Sequence, residues 1–210
     1  MIGGPVFLWA DVWQNMPMAA VEKRLFTAIE LPEDWLEAIA SNCEALKEQG
    51  VRGRFVPPER LHLTLNFIGE TAKEKEIISA LTGLDRPFSP ILSAGKGGLF
   101  RRKKGGDLVV WHLEPDKALE AYRESELAAL EAIGLRLDQR PYTPHLTLIR
   151  EAEGSFLDSD DFYSAFNLPQ AFVADEAVLF WSRFVGGKLV YTPLSRYPFG
   201  LGKEENDVKP

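Results

Sequence analysis

Apolar positions along the chain follow two rhythms, and the changes between them mark out the elements. Arg24 to Leu31 reads as a strand. Pro32-Glu33-Asp34 then opens a helix, because proline and acidic residues suit a first turn whose N–H groups lack partners. Trp35, Leu36, Ile39, Cys43 and Leu46 recur at helical spacing, and Gly50 ends the run. A second strand starts at His62 and continues to Gly69. Thr71 with Glu74 fits a capping box for a helix reaching about Gly83. Ile91–Phe100 and Asp107–Leu113 read as two strands joined by the polar loop Arg101–Gly106. Pro115-Asp116 opens a third helix, with Leu119, Tyr122, Leu127, Leu130 and Ile133 as its apolar positions and Gly134 as its end. Tyr142–Ile149 is a further strand. Phe172–Phe184 and Lys188–Pro193 form a hairpin about Gly186-Gly187.

The pattern contains a repeat. His-Leu-Thr-Leu stands at His62-Leu63-Thr64-Leu65 and again at His145-Leu146-Thr147-Leu148, taking two of the three histidines in the chain. Each copy follows a long helix and a proline-containing loop (Pro57-Pro58; Pro141 and Pro144). Helix, proline loop and motif strand thus occur twice, which predicts two similar α+β lobes with the motif strands facing across a cleft. In a strand each His shares a face with its Thr, and the Leu residues point the other way, toward a core. Strict alternation would put Arg150 on the face opposite His145.

The expected boundaries are an extension of doubtful structure over 1–17, a single two-lobed domain over 18–202 and a charged tail over 203–210. No stretch approaches the roughly 20 apolar residues that span a bilayer, and no signal peptide is evident, so no membrane association is expected. The single Cys43 forms no internal disulfide and supplies no metal cluster, consistent with a reducing, cytoplasmic compartment. A net charge of −7 argues against nucleic acid at first sight. The charge is uneven, however: basic residues cluster at Arg101-Arg102-Lys103-Lys104 and around Arg52, Arg54 and Arg60, and a local basic patch can attract phosphates on an acidic protein. The bland reading of Arg101–Lys104 is a solvated hairpin tip.

Two imidazoles suit acid–base catalysis near neutral pH. Displacement at phosphorus needs a base on the entering oxygen and an acid on the leaving one, roughly in line, and paired histidines can supply both. Threonine hydroxyls could bond the non-bridging oxygens. Zinc is the rival use of paired histidines, but neither motif has a nearby Asp, Glu or Cys at ligand spacing, so no metal and no cofactor are expected. No G-x-S-x-G elbow, P-loop or G-x-G-x-x-G is present. His112 lacks a Thr partner and reads as a structural strand residue. Phe55 and Tyr142, a few residues before the two histidines, could stack on a nucleobase or pack as ordinary cleft wall.

Taken together, these segments resemble a known family. Arg24-Leu25-Phe26-Thr27-Ala28-Ile29-Glu30-Leu31-Pro32, Phe55 through Leu65, Phe67-Ile68-Gly69-Glu70, Arg140 through Arg150 and Tyr191-Thr192-Pro193-Leu194 are similar to the 2H phosphoesterases. Within them they resemble the RNA 2′,3′-cyclic phosphodiesterases formerly called 2′-5′ RNA ligases. The resemblance implies a bilobal, pseudo-twofold α+β fold of duplicated antiparallel sheets with outer helices and a central cleft. It implies metal-independent hydrolysis of a terminal 2′,3′-cyclic phosphate to a 2′-phosphate, acting on RNA ends or small nucleotides; no protein partner is expected. The acid would be His62 and the base His145, with Thr64, Thr147 and Arg150 binding phosphate. Phe55 stands where many relatives have Trp. The rival readings are a catalytically idle RNA- or nucleotide-binding module and RNA end joining in reverse. The intact histidine pair argues against the idle module, since binding alone needs no acid–base pair.

Overall fold

The computed structural model describes residues 21–114, 116–164, 166–167 and 169–200. The expected extension over 1–17 and tail over 203–210 lie outside the described residues. Strands β1 (Lys23–Glu30), β2 (Arg52–Phe55), β3 (His62–Thr71), β4 (Ile91–Leu92), β5 (Ala94–Phe100), β6 (Asp107–Leu113), β7 (His145–Glu153), β8 (Phe172–Val173), β9 (Glu176–Val185) and β10 (Lys188–Pro198) alternate with helices α1 (Glu33–Glu48), α2 (Glu74–Thr82) and α3 (Lys117–Ala132). One sheet runs β10-β9-β1-β3, a second runs β2-β7-β6-β5, and β4 pairs with β8 separately.

The duplication predicted from the two motifs is real in the backbone. β1, α1 and β3 make one antiparallel strand–helix–strand unit, and β6, α3 and β7 make the other. Each motif strand starts at its histidine. One sheet flank of each motif strand is buried as the Leu positions required: Leu63, Leu65, Leu146 and Leu148 all lie in one continuous core with Trp35, Ile39, Trp111 and Leu130. At about 25 cal/mol per Å² of apolar surface, this shared core is what holds the two sheets together.

Several local expectations need correction. Ile91–Phe100 is not one strand. Its first two residues leave to pair with Phe172–Val173, and only Ala94–Phe100 pairs with β6. Phe172–Phe184 is split in the same way. Thr71 does not cap α2; it closes β3, and its hydroxyl accepts from Lys73 N at 3.2 Å. In α3 the buried slot falls on Glu126 rather than Leu127, which is half-buried. Asp116 caps α3 by accepting from Leu119 N at 2.7 Å. β2 had no periodic signal, being four residues with Gly53 inside. It leaves the first unit to add an edge to the second, pairing with β7. Gly53 is required there: at φ +150, a Cβ would sit 2.7 Å from Ile149 Cγ2 and 2.9 Å from the Arg150 carbonyl. Among the described residues no helix is long and apolar enough to cross a membrane.

Candidate active site

The two histidines are held the same way. His62 Nδ1 lies 2.8 Å from the carbonyl of Arg60, and His145 Nδ1 lies 2.7 Å from the carbonyl of Thr143. A carbonyl only accepts, so each Nδ1 carries the proton and each Nε2 is left as the reactive nitrogen. The proline loops make this possible. Pro58–Arg60 is a single 3-10 turn that delivers the Arg60 carbonyl, and Pro144 biases the residue before it, Thr143, toward extended backbone.

Each motif strand carries a bulge at the same place. Along β3, Thr64 pairs with Ala28 and Asn66 with Thr27, so Leu65 has no partner. Along β7, Thr147 pairs with Val110 and Ile149 with Val109, so Leu148 has none. One extra residue reverses the alternation. Leu65-Asn66 and Leu148-Ile149 are consecutive buried pairs, and the residue five beyond each histidine returns to the histidine's face. Those residues are Phe67 and Arg150. The alternation argument against Arg150 therefore fails for a definite reason, and Phe67 is its counterpart.

Both faces open into one cleft of about 390 Å³, lined by His62, Thr64, Phe67, His145, Thr147 and Arg150. Arg24, Arg54, Arg60, Phe26, Phe55, Val56, Ser182, Phe184, Leu189 and Tyr191 complete its wall. Among the described residues the lining contains four arginines and no carboxylate, on a protein of net charge −7. Arg54 is paired with Glu151 at 2.6 Å. Arg24 lies over the Phe67 ring at 5.1 Å.

The imidazoles are desolvated by aromatic rings. His62 sits 4.9 Å from Phe26 and 5.2 Å from Tyr191, and His145 sits 4.8 Å from Phe100. Burial pushes His62 down to about 4, and the nearby positive charge of Arg150 and the second imidazole add to this. His145 is lowered too, first by burial and then by His112 and Arg150, against the opposing bond to Thr143. Both shifts favour the neutral imidazole in the ligand-free protein.

All five motif residues expected from the sequence thus come together, and Phe55 joins them with Lys47 Nζ 4.7 Å over its ring. Tyr142 does not. It is absent from the cleft lining: its hydroxyl donates to the Thr64 carbonyl at 2.8 Å, and Arg123 covers its ring at 4.8 Å. It ties the second motif's loop to the first motif's strand instead of facing a base. His112 pairs directly opposite His145 across β6 and β7, as a strand residue beside the site. Arg101 is held by Asp107 at 2.7 Å and Asp158 at 2.6 Å, outside the cleft. Sequence reasoning gave no site role to Phe26, Tyr191 and Phe67, although they lie in segments that carry the resemblance, and it missed Phe100 altogether; Phe67 is brought in by the bulge. Among the described residues no group of three or more His, Cys, Asp or Glu is placed to hold a metal ion.

Residues 29–111 match the family described as LigT like phosphoesterase. An RNA 2′,3′-cyclic phosphodiesterase of Escherichia coli is 32% identical over 178 residues, covering 83% of this chain and 96% of that protein. A protein of the same name from Methanocaldococcus jannaschii is 32% identical over 128 residues, covering 60% and 70%. Among solved structures, E. coli LigT complexed with 3′-AMP superposes with a TM-score of 0.67 at 26% identity, over 85% of this chain and 98% of that one.

Proposed function

Because the chain belongs to the LigT-like phosphoesterase family, we propose that it hydrolyses the 2′,3′-cyclic phosphate at an RNA end to a 2′-phosphate, using His62 and His145 as acid and base. The observation that carries this is the matched pair of imidazoles, each with Nδ1 tied to a carbonyl two residues back and each open to one arginine-lined cleft. The names of the relatives, RNA 2′,3′-cyclic phosphodiesterases, support the substrate class.

The phosphate sits between the two histidines. His145 Nε2 takes a proton from water as its oxygen attacks phosphorus. His62 gives a proton to the departing 3′ oxygen, and the 2′ ester remains. Thr64 and Thr147 donate to the non-bridging oxygens, and Arg150 offsets their charge; preorganised donors of this kind are worth about 10²–10³ in rate. The acid must be charged, yet His62 is neutral in the ligand-free protein. The bound phosphate resolves this, since an anion against the imidazole favours its protonated form. Substrate binding therefore takes up a proton at His62.

The test is incubation of a dinucleotide ending in a 2′,3′-cyclic phosphate, with the product read by phosphorus NMR. A 2′-phosphate formed equally with and without chelator is expected. A 3′-phosphate product, or no turnover by the folded protein, would sink the proposal. Proton uptake is checked separately by titrating a phosphate inhibitor calorimetrically in buffers of different ionisation enthalpy at pH 7.

A further inference from the structure

The cleft has more positive charge and more exposed aromatic surface than one cyclic phosphate uses. A cyclic phosphodiester carries a single negative charge, whereas four arginines line the wall, of which Arg54 is already paired with Glu151. Arg24 forms no ion pair with a carboxylate among the described residues, although Glu70 stands opposite it on β3; it lies on the Phe67 ring and lines the cleft. β9 and β10 run on past the end of β1. β9 pairs with β1 only from Val178 to Ser182, and beyond that Arg183–Val185 pair with β10 alone, up to the Gly186-Gly187 turn.

This free end of the hairpin carries Phe184, the most exposed large apolar side chain among the described residues at 74%. It nevertheless lines the cleft, together with its cross-strand partner Leu189. The order along the hairpin matters. Tyr191, whose ring touches His62, pairs with Ser182, and Phe184 and Leu189 come two residues further out. Two strand residues are roughly 7 Å, about the step from one nucleotide to the next. Arg24 pairs with Ser182 and so lies between the phosphate centre and Phe184.

Resting on the hydrolytic reading above, we propose that the β9–β10 hairpin forms a second-nucleotide subsite: Arg24 holds the phosphodiester preceding the terminal nucleotide, and Phe184 stacks on the penultimate base. An exposed ring in a cleft of arginines without carboxylates is complementary to a single-stranded polyanion with π-faces. An apolar protein partner would leave the arginine charges unmatched. The chain would then discriminate by length, favouring RNA ends over mononucleotides.

The experiment compares adenosine 2′,3′-cyclic phosphate with the adenylyl-adenosine dinucleotide bearing the same end. The native chain should favour the dinucleotide in kcat/KM by about five- to a hundred-and-fiftyfold, the range for stacking one base, mostly through KM. Phe184→Ala and Phe184→Leu should both collapse that ratio toward one, since leucine restores bulk but no π-face. Arg24→Gln should flatten the salt dependence of dinucleotide binding by about 0.7 in log–log slope, one phosphate contact on a single strand. A ratio near one in the native chain, or equal losses on both substrates in the Phe184 variants, would overturn the subsite. Calorimetric binding of the two corresponding 2′-phosphorylated products separates the two proposals: a length preference in binding without turnover would leave the subsite standing and remove the hydrolytic reading.

Discussion

The His62 half and the His145 half of the cleft share a backbone and differ in chemistry. Both have the histidine at the strand start, the threonine two residues on, an unpaired residue after it and a returning side chain at the fifth position. In the first half that fifth residue is Phe67; in the second it is Arg150. Opposite His62 stands Glu30, whose carboxylate is occupied by Arg196 at 2.7 Å, while opposite His145 stands His112. The first imidazole lies between Phe26 and Tyr191, and the second has Phe100 beside it. A symmetric fold has thus set one imidazole between two aromatic rings, where it is more strongly desolvated, and the other beside His112 with Arg150 at the returning position of its own strand. The neighbours make the two imidazoles unequal.

The largest effects should come from removing the common element. His62→Ala and His145→Ala are each expected to lower kcat by about 10²–10⁴ with the fold unchanged by circular dichroism. Near-native activity in either folded variant would end the two-histidine assignment. Next, the fifth positions should separate the halves. Arg150→Met should cost about 10²–10³ in kcat, the range for losing a preorganised charge donor. Phe67→Ala should act mainly on KM; equal effects on kcat at both positions would erase the distinction between the halves.

Much of this site was legible in the chain because the chemistry sits in contiguous words. His62, Thr64, His145 and Thr147 could be placed on one face by counting, and the helix before each by its period. What could not be counted was the phase change after each motif. A bulge depends on how its extra residue is held, and here the two are held differently. At the first, Asn66 N–H is caught by Thr27 Oγ1 at 3.1 Å, and Asn66 and Thr27 both donate to Glu126 Oε2, at 3.0 and 2.7 Å. At the second, Ile149 packs against the bare backbone of Gly53. Glu126 comes from α3, a helix of the other half, so no local pattern could have announced it. The aromatic covers of the histidines escaped for the same reason: Tyr191 and Phe100 reach them only through sheet pairing.

The pH behaviour should expose the inequality. His145 must be neutral, so activity falls as pH drops through its pKa; His62 must be charged, so activity falls as pH rises above its own. Both lie below the ordinary 6.5 in the ligand-free protein. The bell in kcat/KM should therefore centre below pH 6.5, and its two limbs belong to the coupled pair. The bell in kcat should lie at higher pH, because bound phosphate raises both groups. Tyr191→Ala, which uncovers His62, should raise kcat/KM on the alkaline side and move its acid limb upward, because the more depressed imidazole sets that limb; an unchanged profile would mean that the ring cover does not set the acid. Thr64→Ala and Thr147→Ala should each cost about 1.5–3 kcal/mol in kcat/KM, as for a hydrogen bond to a charged group. The smallest effect is expected at the first bulge. Asn66→Ala should lower stability by about 1–3 kcal/mol in urea unfolding, by leaving buried polar groups unpaired. It should act on kcat only indirectly.

β2 has a consequence for how the molecule comes into being. It is made with the first half and spends its hydrogen bonds on the second, with Arg54 reaching Glu151 across 97 residues of chain. Until that late segment emerges, β2 has no sheet to join, and until β2 docks, β7 is an open edge on the strand that bears His145. Severed halves would each expose such an edge, an invitation to pair with a neighbouring molecule. The two lobes should accordingly melt in one transition and fold slowly, as chains governed by distant pairings do.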